Sequence, residues 1–348
     1  MFNASTITIS WEILALISEI DEFKGAWRAL GQLAPDHLSS LKRVATMESI
    51  GSSTRIKGAK LSDQEVERLL NNLTIQQFKS WDEEEAAGYA AVMNRIFESH
   101  EDISLTENHI KQLHRDLLQF SNKDSWYRGN YKKSTNHIEA FDQDGKSAGV
   151  VFETASPLDT PIRMEELVNW TISAIERKEL HPLLIVSVFI VVFLAIHPFQ
   201  DGNGRMSRIL TTLLLLRMGY AYVPYRSLEA VIEQSKDAWY LALRKTQETL
   251  KKDTPDWMPW IIFFLRALQE QKNRLQIKIE QEKLLLGQLA ELSLQILELV
   301  KSHGRITISE IVILTNANRN TVKKHLENLV GAKHLQQNGS GRGSWYSV

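Results

Sequence analysis

The apolar run from Leu183 to Ile196 constrains this chain more than any other stretch. It is too short to cross a bilayer, which takes about 20 apolar residues, and it has no polar face. It therefore predicts a helix buried on all sides, and a buried helix demands a shell of others around it. A second apolar run, Ile209 to Leu216, follows after His197-Pro198-Phe199-Gln200-Asp201-Gly202-Asn203-Gly204-Arg205-Met206-Ser207-Arg208. The spacing reads as helix, tight polar turn, and a second helix whose start is rich in glycine and arginine.

The first N–H groups of a helix have no internal partner, and the helix dipole is positive at that end. Gly202 and Gly204 let the backbone approach a ligand, while Arg205 and Arg208 lie one turn apart on the same side. Such a place binds anions, and phosphate is the natural occupant. Asp201 at its lip would oppose a bare phosphate, so a Mg²⁺ ion bridging carboxylate and phosphate oxygens is expected. A histidine's unperturbed pKa lies near neutrality, so His197 is expected to accept a proton from an attacking hydroxyl. The residues alone point to phosphoryl or nucleotidyl transfer.

These twelve residues resemble the Fic signature, H-x-F-x-(D/E)-G-N-G-R-x-x-R, at every defined position. The resemblance implies transfer of AMP from Mg·ATP to a Ser, Thr or Tyr hydroxyl of a protein, with release of pyrophosphate. It makes His197 the general base, Phe199 the buried anchor of the loop and Asp201 the Mg²⁺ ligand. Gly202, Asn203 and Gly204 become the phosphate nest, and Arg205, Met206, Ser207 and Arg208 complete the nucleotide-binding segment. Relatives of the fold transfer UMP, phosphocholine or phosphate, so another phosphate-containing group is the alternative donor. A nucleotide-sensing DNA-binding regulator is the alternative from a different class.

Over 348 residues, Lys+Arg 41 against Asp+Glu 42 leave no global field to steer the chain to nucleic acid or to a membrane. The chain has no cysteine, which excludes disulfides, thiolate metal sites and a cysteine nucleophile. Met1-Phe2-Asn3-Ala4-Ser5-Thr6 lacks the basic and apolar regions of a signal peptide, and a cytoplasmic location is expected.

Along the chain the fold class reads as mainly α. We expect an N-terminal helical region (1–95), a Fic-type catalytic core (96–268), a charged helical linker (269–287) and a winged helix (288–348). Pro35-Asp36 marks a turn in the first region. Ser62-x-x-Glu65 and Ser104-x-x-Glu107 read as capping boxes. Two β-like runs, Asn136 to Phe141 and Ala148 to Thr154, flank the turn pair Asp144-Gly145 and predict a hairpin. A lone hairpin is marginal, so it must lean on helices or gain a strand. In Fic proteins a hairpin here is the flap that holds the target segment; Val150, Val151, Phe152 and Glu153 would line it. Ser227 to Thr249 reads as one helix carrying Trp239-Tyr240. That pair matches the place of an adenosine-contacting aromatic pair in the family, and is equally an ordinary core feature.

The last segment reads as helix-turn-helix followed by a glycine-rich hairpin, which looks like a winged helix. Asn318, Arg319, Asn320, Lys323, Lys324 and Arg342 would then face DNA; docking of a protein or a second copy is the other use. Finally, many Fic proteins carry an inhibitory helix, (S/T)-x-x-x-E-(G/N), whose glutamate pairs with the signature's second arginine. Ser53-Thr54-Arg55-Ile56-Lys57-Gly58 fits except that lysine replaces glutamate. The resemblance then implies release from self-inhibition, with Lys57 repelling Arg208 or approaching the γ-phosphate.

Overall fold

The central helix owes its limits to its ends. In the computed structural model it is α7 (Pro182–Ile196), opened by Pro182, whose missing N–H costs nothing there, and by His181, which accepts the Leu183 N–H. Its side chains from Leu183 to Leu194 are all buried, as an apolar surface without a polar stripe requires. It ends where His197 turns left-handed (φ 53°), and α8 (Asn203–Arg217) starts after Gly202 (φ 81°).

The structure describes residues 2–30, 35–58, 61–71, 78, 80–121, 123–141, 147–287, 291–339 and 343–348. Before α7 come α1 (Trp11–Leu30), α2 (Pro35–Lys57), α3 (Asp63–Asn71), α4 (Trp81–Ser99) and α5 (Glu107–Leu117). A hairpin, β1 (Ile138–Phe141) and β2 (Ser147–Phe152), and α6 (Asp159–Arg177) complete the approach. After α8 follow α9 (Leu228–Gln234), α10 (Lys236–Gln247) and α11 (Met258–Gly287). Helices α6, α8 and α10 pack on α7, and α4 and α5 pack on α8. Trp260 of α11 donates its indole N–H to the Ser187 carbonyl (2.8 Å), in mid-α7. Among the described residues no helix is long and apolar enough to cross a membrane.

The Ser62–Glu65 capping box forms: Ser62 N–H meets the Glu65 carboxylate at 2.8 Å, and Glu65 N–H meets Ser62 Oγ at 3.4 Å. The Ser104–Glu107 box does not. Thr106 caps α5 by accepting the His109 N–H (3.1 Å), and Glu107 accepts the Tyr131 hydroxyl (2.6 Å). The expected single helix from Ser227 breaks in two. The Ser235 hydroxyl bonds back to the Val231 carbonyl (2.8 Å), and its backbone leaves the helical region there (φ −114°, ψ 29°). β1 and β2 pair antiparallel, Ile138 opposite Phe152 and Glu139 opposite Val150. The turn pair Asp144-Gly145 lies outside the described residues.

Two compact units divide the chain, Met1–Arg274 and Leu275–Val348. The stretch read as a linker begins within α11, where buried Gln271 donates to the Arg226 carbonyl (2.6 Å). The smaller unit contains α12 (Glu291–His303), β3 (Ile306–Thr307), α13 (Ile308–Thr315), α14 (Arg319–Gly331), β4 (Gln336–Asn338) and β5 (Trp345–Ser347). Its three-stranded antiparallel sheet has the order β3-β5-β4. Ile296, Val300, Ile311, Val322, Leu326 and Tyr346 are among its core residues. Asn318, Arg319, Asn320, Lys323 and Lys324 are exposed on or beside α14, and Arg342 lies outside the described residues.

Candidate active site

The left-handed turn at His197 ends α7 and begins the loop to α8. The loop is closed by Asn203, whose amide accepts the Phe199 N–H (2.9 Å) and donates to the Phe199 carbonyl (2.7 Å). Its side chain is thus committed to the loop. Phe199 is fully buried, its ring stacked on His114 with centroids 3.8 Å apart. From the other side Asn136 donates to the carbonyls of His197 (3.2 Å) and Phe199 (2.6 Å). Buried Lys132 donates from Nζ to Asn136 (2.7 Å), Thr154 (2.9 Å) and the Ile196 carbonyl (3.1 Å). Burial, with Arg163 nearby, pushes Lys132 down to about 8.

A cleft of about 330 Å³ opens over this loop. Its walls include Lys57, Asn136, His197, Asp201, Gly202, Asn203, Gly204, Arg205, Ser207, Arg208, Trp239 and Tyr240. The sequence-derived candidates therefore converge, apart from Phe199 and Met206, which are fully buried, and from Ser53, Gly58 and the hairpin residues, which are not among its walls. Of these, Val150, Val151 and Phe152 lie on β2, with Glu153 just beyond it and exposed. Trp239 is buried, edge-on to Trp260 (4.8 Å), while Tyr240 is about half exposed.

His197 is neutral at pH 7, because burial pushes it down to about 4 against the pull of the Leu194 carbonyl. A carbonyl can only accept, so the 3.3 Å contact to Leu194 puts the proton on Nδ1 and leaves Nε2 basic. The N–H groups of Asn203, Gly204 and Arg205 precede the first intrahelical bond, from Met206 N–H to the Gly202 carbonyl (2.8 Å). Arg205 is 2% exposed, and its Nε and Nη1 have no hydrogen-bond partner. A buried guanidinium with two unmet donors suits an anionic ligand.

Residues 104–215 match the model of the Fic/DOC family. That segment is similar to the Fic/DOC family. The chain is similar to a protein adenylyltransferase Fic of Drosophila mojavensis, 26% identical over 234 residues, 67% of this chain and 42% of that protein. A protein of the same description from Drosophila virilis is 26% identical over 66% of this chain and 43% of its own length. The chain thus spans less than half the length of the curated relatives it matches. Among solved structures, a Fic family protein of Desulfovibrio desulfuricans G20 shares the fold, with TM-score 0.62 and 20% identity. The similarity covers 98% of this chain and 97% of that one. A Fic domain containing signaling protein of Bacteroides thetaiotaomicron VPI-5482 gives TM-score 0.58 and 23% identity over 74% of this chain and 97% of its own.

Several residues that shape the cleft lie outside the matched segment. Glu85 on α4 is buried and accepts Arg205 Nη2 (3.0 Å) and Lys57 Nζ (2.7 Å) on the same oxygen. Asp201 Oδ2 meets Lys57 Nζ at 2.8 Å and Arg205 Nη2 at 3.4 Å. Burial works against the Asp201 charge, but Arg205 and then Lys57 outweigh it and hold the carboxyl below its ordinary range. Lys57 therefore faces Asp201 and Glu85, and the repulsion expected with Arg208 is not what the fold produces. Arg208 is instead held by Ser53, its Nε and Nη2 donating to Ser53 Oγ at 3.0 and 2.9 Å and Nη2 to the Ser53 carbonyl at 3.0 Å. Gly58 follows α2 at φ 114° and is exposed.

Sequence reading missed Glu85, His114, Lys132 and Asn136. His114 accepts the Gly129 N–H at Nδ1 and donates from Nε2 to the Asp201 carbonyl, both at 3.0 Å. The only signals were Arg128-Gly129-Asn130-Tyr131, one residue before Lys132, and the apolar periodicity that placed His114 between Leu113 and Leu117.

Proposed function

We propose that this protein transfers AMP from ATP to the hydroxyl of a Ser, Thr or Tyr side chain, on a partner protein or on itself. The observation that carries this reading is His197: neutral, with its proton fixed on Nδ1, on the wall of a cleft that Gly204, Arg205 and Arg208 also line. Nε2 takes the hydroxyl proton as oxygen bonds to the α-phosphorus and the bond to the β-phosphate oxygen breaks. Pyrophosphate leaves. The α8 amides and Arg205 oppose the charge on the phosphates, and fixed donors of this kind need no rearrangement during reaction.

The cofactor fits the residues present. Asp201 gives one carboxylate to the cleft, and no cluster of three or more metal-ligating residues is found among the described residues. A Mg²⁺ ion held there would share its shell with phosphate oxygens and supply positive charge to them. Trp239 and Tyr240, which line the same cleft, would give a base aromatic surface to lie against. Val150, Val151, Phe152 and Glu153 offer an edge to which an extended target segment adds as a strand. We read the smaller unit as a winged helix that docks DNA, a protein or a second copy of the chain, because a helix, a short strand, two helices and two further strands follow in that order, with the three strands in one sheet.

The test is incubation with α-labelled ATP, Mg²⁺ and a lysate, with mass spectrometry of the labelled proteins. AMP addition by the natural chain is expected. His197→Ala should abolish labelling and leave ATP affinity within about threefold, since the ring acts on the hydroxyl rather than the phosphates. Labelling retained in that variant would remove His197 as the base. An added mass other than AMP would assign a different donor.

A further inference from the structure

We infer that Lys57 occupies the cation seat of Asp201, so that its ammonium and a divalent ion exclude one another there. The inference rests on the reading of Asp201 as the metal-binding carboxylate.

Three side chains converge on Nζ of Lys57. The loop before α8 gives Asp201 Oδ2 at 2.8 Å, and α4 gives Glu85 Oε1 at 2.7 Å. At the start of α4, the Trp81 ring centroid lies 4.2 Å away, a distance at which a cation is attracted to the ring face. Lys57 is also the last residue of α2, where the helix dipole favours positive charge. The lysine is therefore anchored, with about a third of its side chain exposed, rather than swinging in solvent. Arg205 Nη2 touches the same two oxygens, so two cations and two carboxylates form a closed quartet.

A magnesium ion on Asp201 Oδ2 would sit about 2.1 Å from that oxygen. With Nζ 2.8 Å from the same oxygen, the two cations would lie within about 5 Å of each other. They would share an oxygen that Arg205 already contacts and would repel at that distance, so metal binding works against the lysine contact. The converse also holds. Without metal, Lys57 neutralises Asp201 and removes the repulsion that a bare triphosphate would meet. A lysine at position 57 thus makes nucleotide binding less dependent on the divalent ion, and by linkage makes the ion bind less well.

The test measures the affinity of α,β-methylene-ATP, which cannot release its AMP, in EDTA and in excess Mg²⁺. The quantity read is the ratio of the two Kd values, EDTA over Mg²⁺. In Lys57→Met and Lys57→Gln the ratio should rise about tenfold over the natural chain, because metal-free binding weakens and the metal no longer works against a lysine contact. In Lys57→Met/Asp201→Asn the rise should vanish. A rise of threefold or more confined to the single variants supports the inference. A smaller rise, or an equal one in the double variant, overturns it whatever the transfer assay gives. A natural chain that takes up no nucleotide in either buffer overturns the reading of the cleft and this inference with it.

Discussion

Lowering the pH from 7 to 5 should cost the larger unit about 2 kcal/mol of stability through His114 alone. The ring is fully buried, stacked on Phe199, and committed at both nitrogens. A second proton would break the bond from Gly129 and charge a ring that burial already disfavours as a cation, so His114 is pushed down to about 4. In the unfolded chain it returns to about 6.5. As the pH falls, the unfolded state takes up the proton first. The stabilisation is therefore complete above about pH 6.5 and is lost progressively toward pH 4. About one and a half pH units of that window are crossed by pH 5, at about 1.36 kcal/mol each, which gives about 2 kcal/mol. His197 adds a slope of the same sign, so the natural chain alone does not isolate the effect. The difference from His114→Gln does. Urea unfolding followed by tryptophan fluorescence should find that variant weaker at pH 7 by about 1–3 kcal/mol, from the lost stack and altered hydrogen bonds. Between pH 7 and pH 5 it should lose about 2 kcal/mol less than the natural chain. Equal losses in the two proteins would refute the claim that His114 is held neutral beneath Asp201.

Lys57→Glu would put a third carboxylate beside Asp201 and Glu85 and leave Arg205 alone to balance them. Incorporation of labelled AMP should fall at least about tenfold, the equivalent of about 1.4 kcal/mol; unchanged incorporation would show that this end of α2 does not govern the cleft. Gly88→Ala tests the packing beneath Glu85. A Cβ there would lie 2.0 Å from the Leu117 carbonyl oxygen, so α4 and α5 must part. A loss above about 3 kcal/mol in urea unfolding is expected, and a loss below about 1 kcal/mol would contradict that close approach.

The central helix and its loop were legible because each carried its own reason in sequence. An apolar run with no polar face has to be buried, and glycines beside arginines at a helix start have one familiar use. What escaped was rotation and partner choice. Asp82, Glu83, Glu84 and Glu85 are four consecutive acidic residues, yet among them only Glu85 is buried, and it meets Arg205. Nothing in a run of like residues says which one faces inward. Thr106 took the cap expected of Ser104 because position and backbone angle decide, not the spacing to a glutamate alone. Lys57 was given to Arg208 by likeness to a pattern in which the residue is acidic; with its sign reversed, the side chain found carboxylates instead.

The charges of the cleft are largely balanced before any ligand enters. Arg205 and Lys57 share Glu85 and Asp201, while Arg208 is wrapped by Ser53, with Tyr89 and Glu229 beside it. Arg205 Nε and Nη1 have no protein partner among the described residues, and the first amides of α8 precede its first intrahelical bond. Ser53 and Lys57 stand four residues apart on α2, one turn of the same helix, and they reach Arg208 and Asp201 respectively. Two charged groups of the cleft wall are thus both held by one helix end. Any shift of that last turn must act on the arginine and the carboxylate together, since a helix turn moves as a unit bound by its own hydrogen bonds.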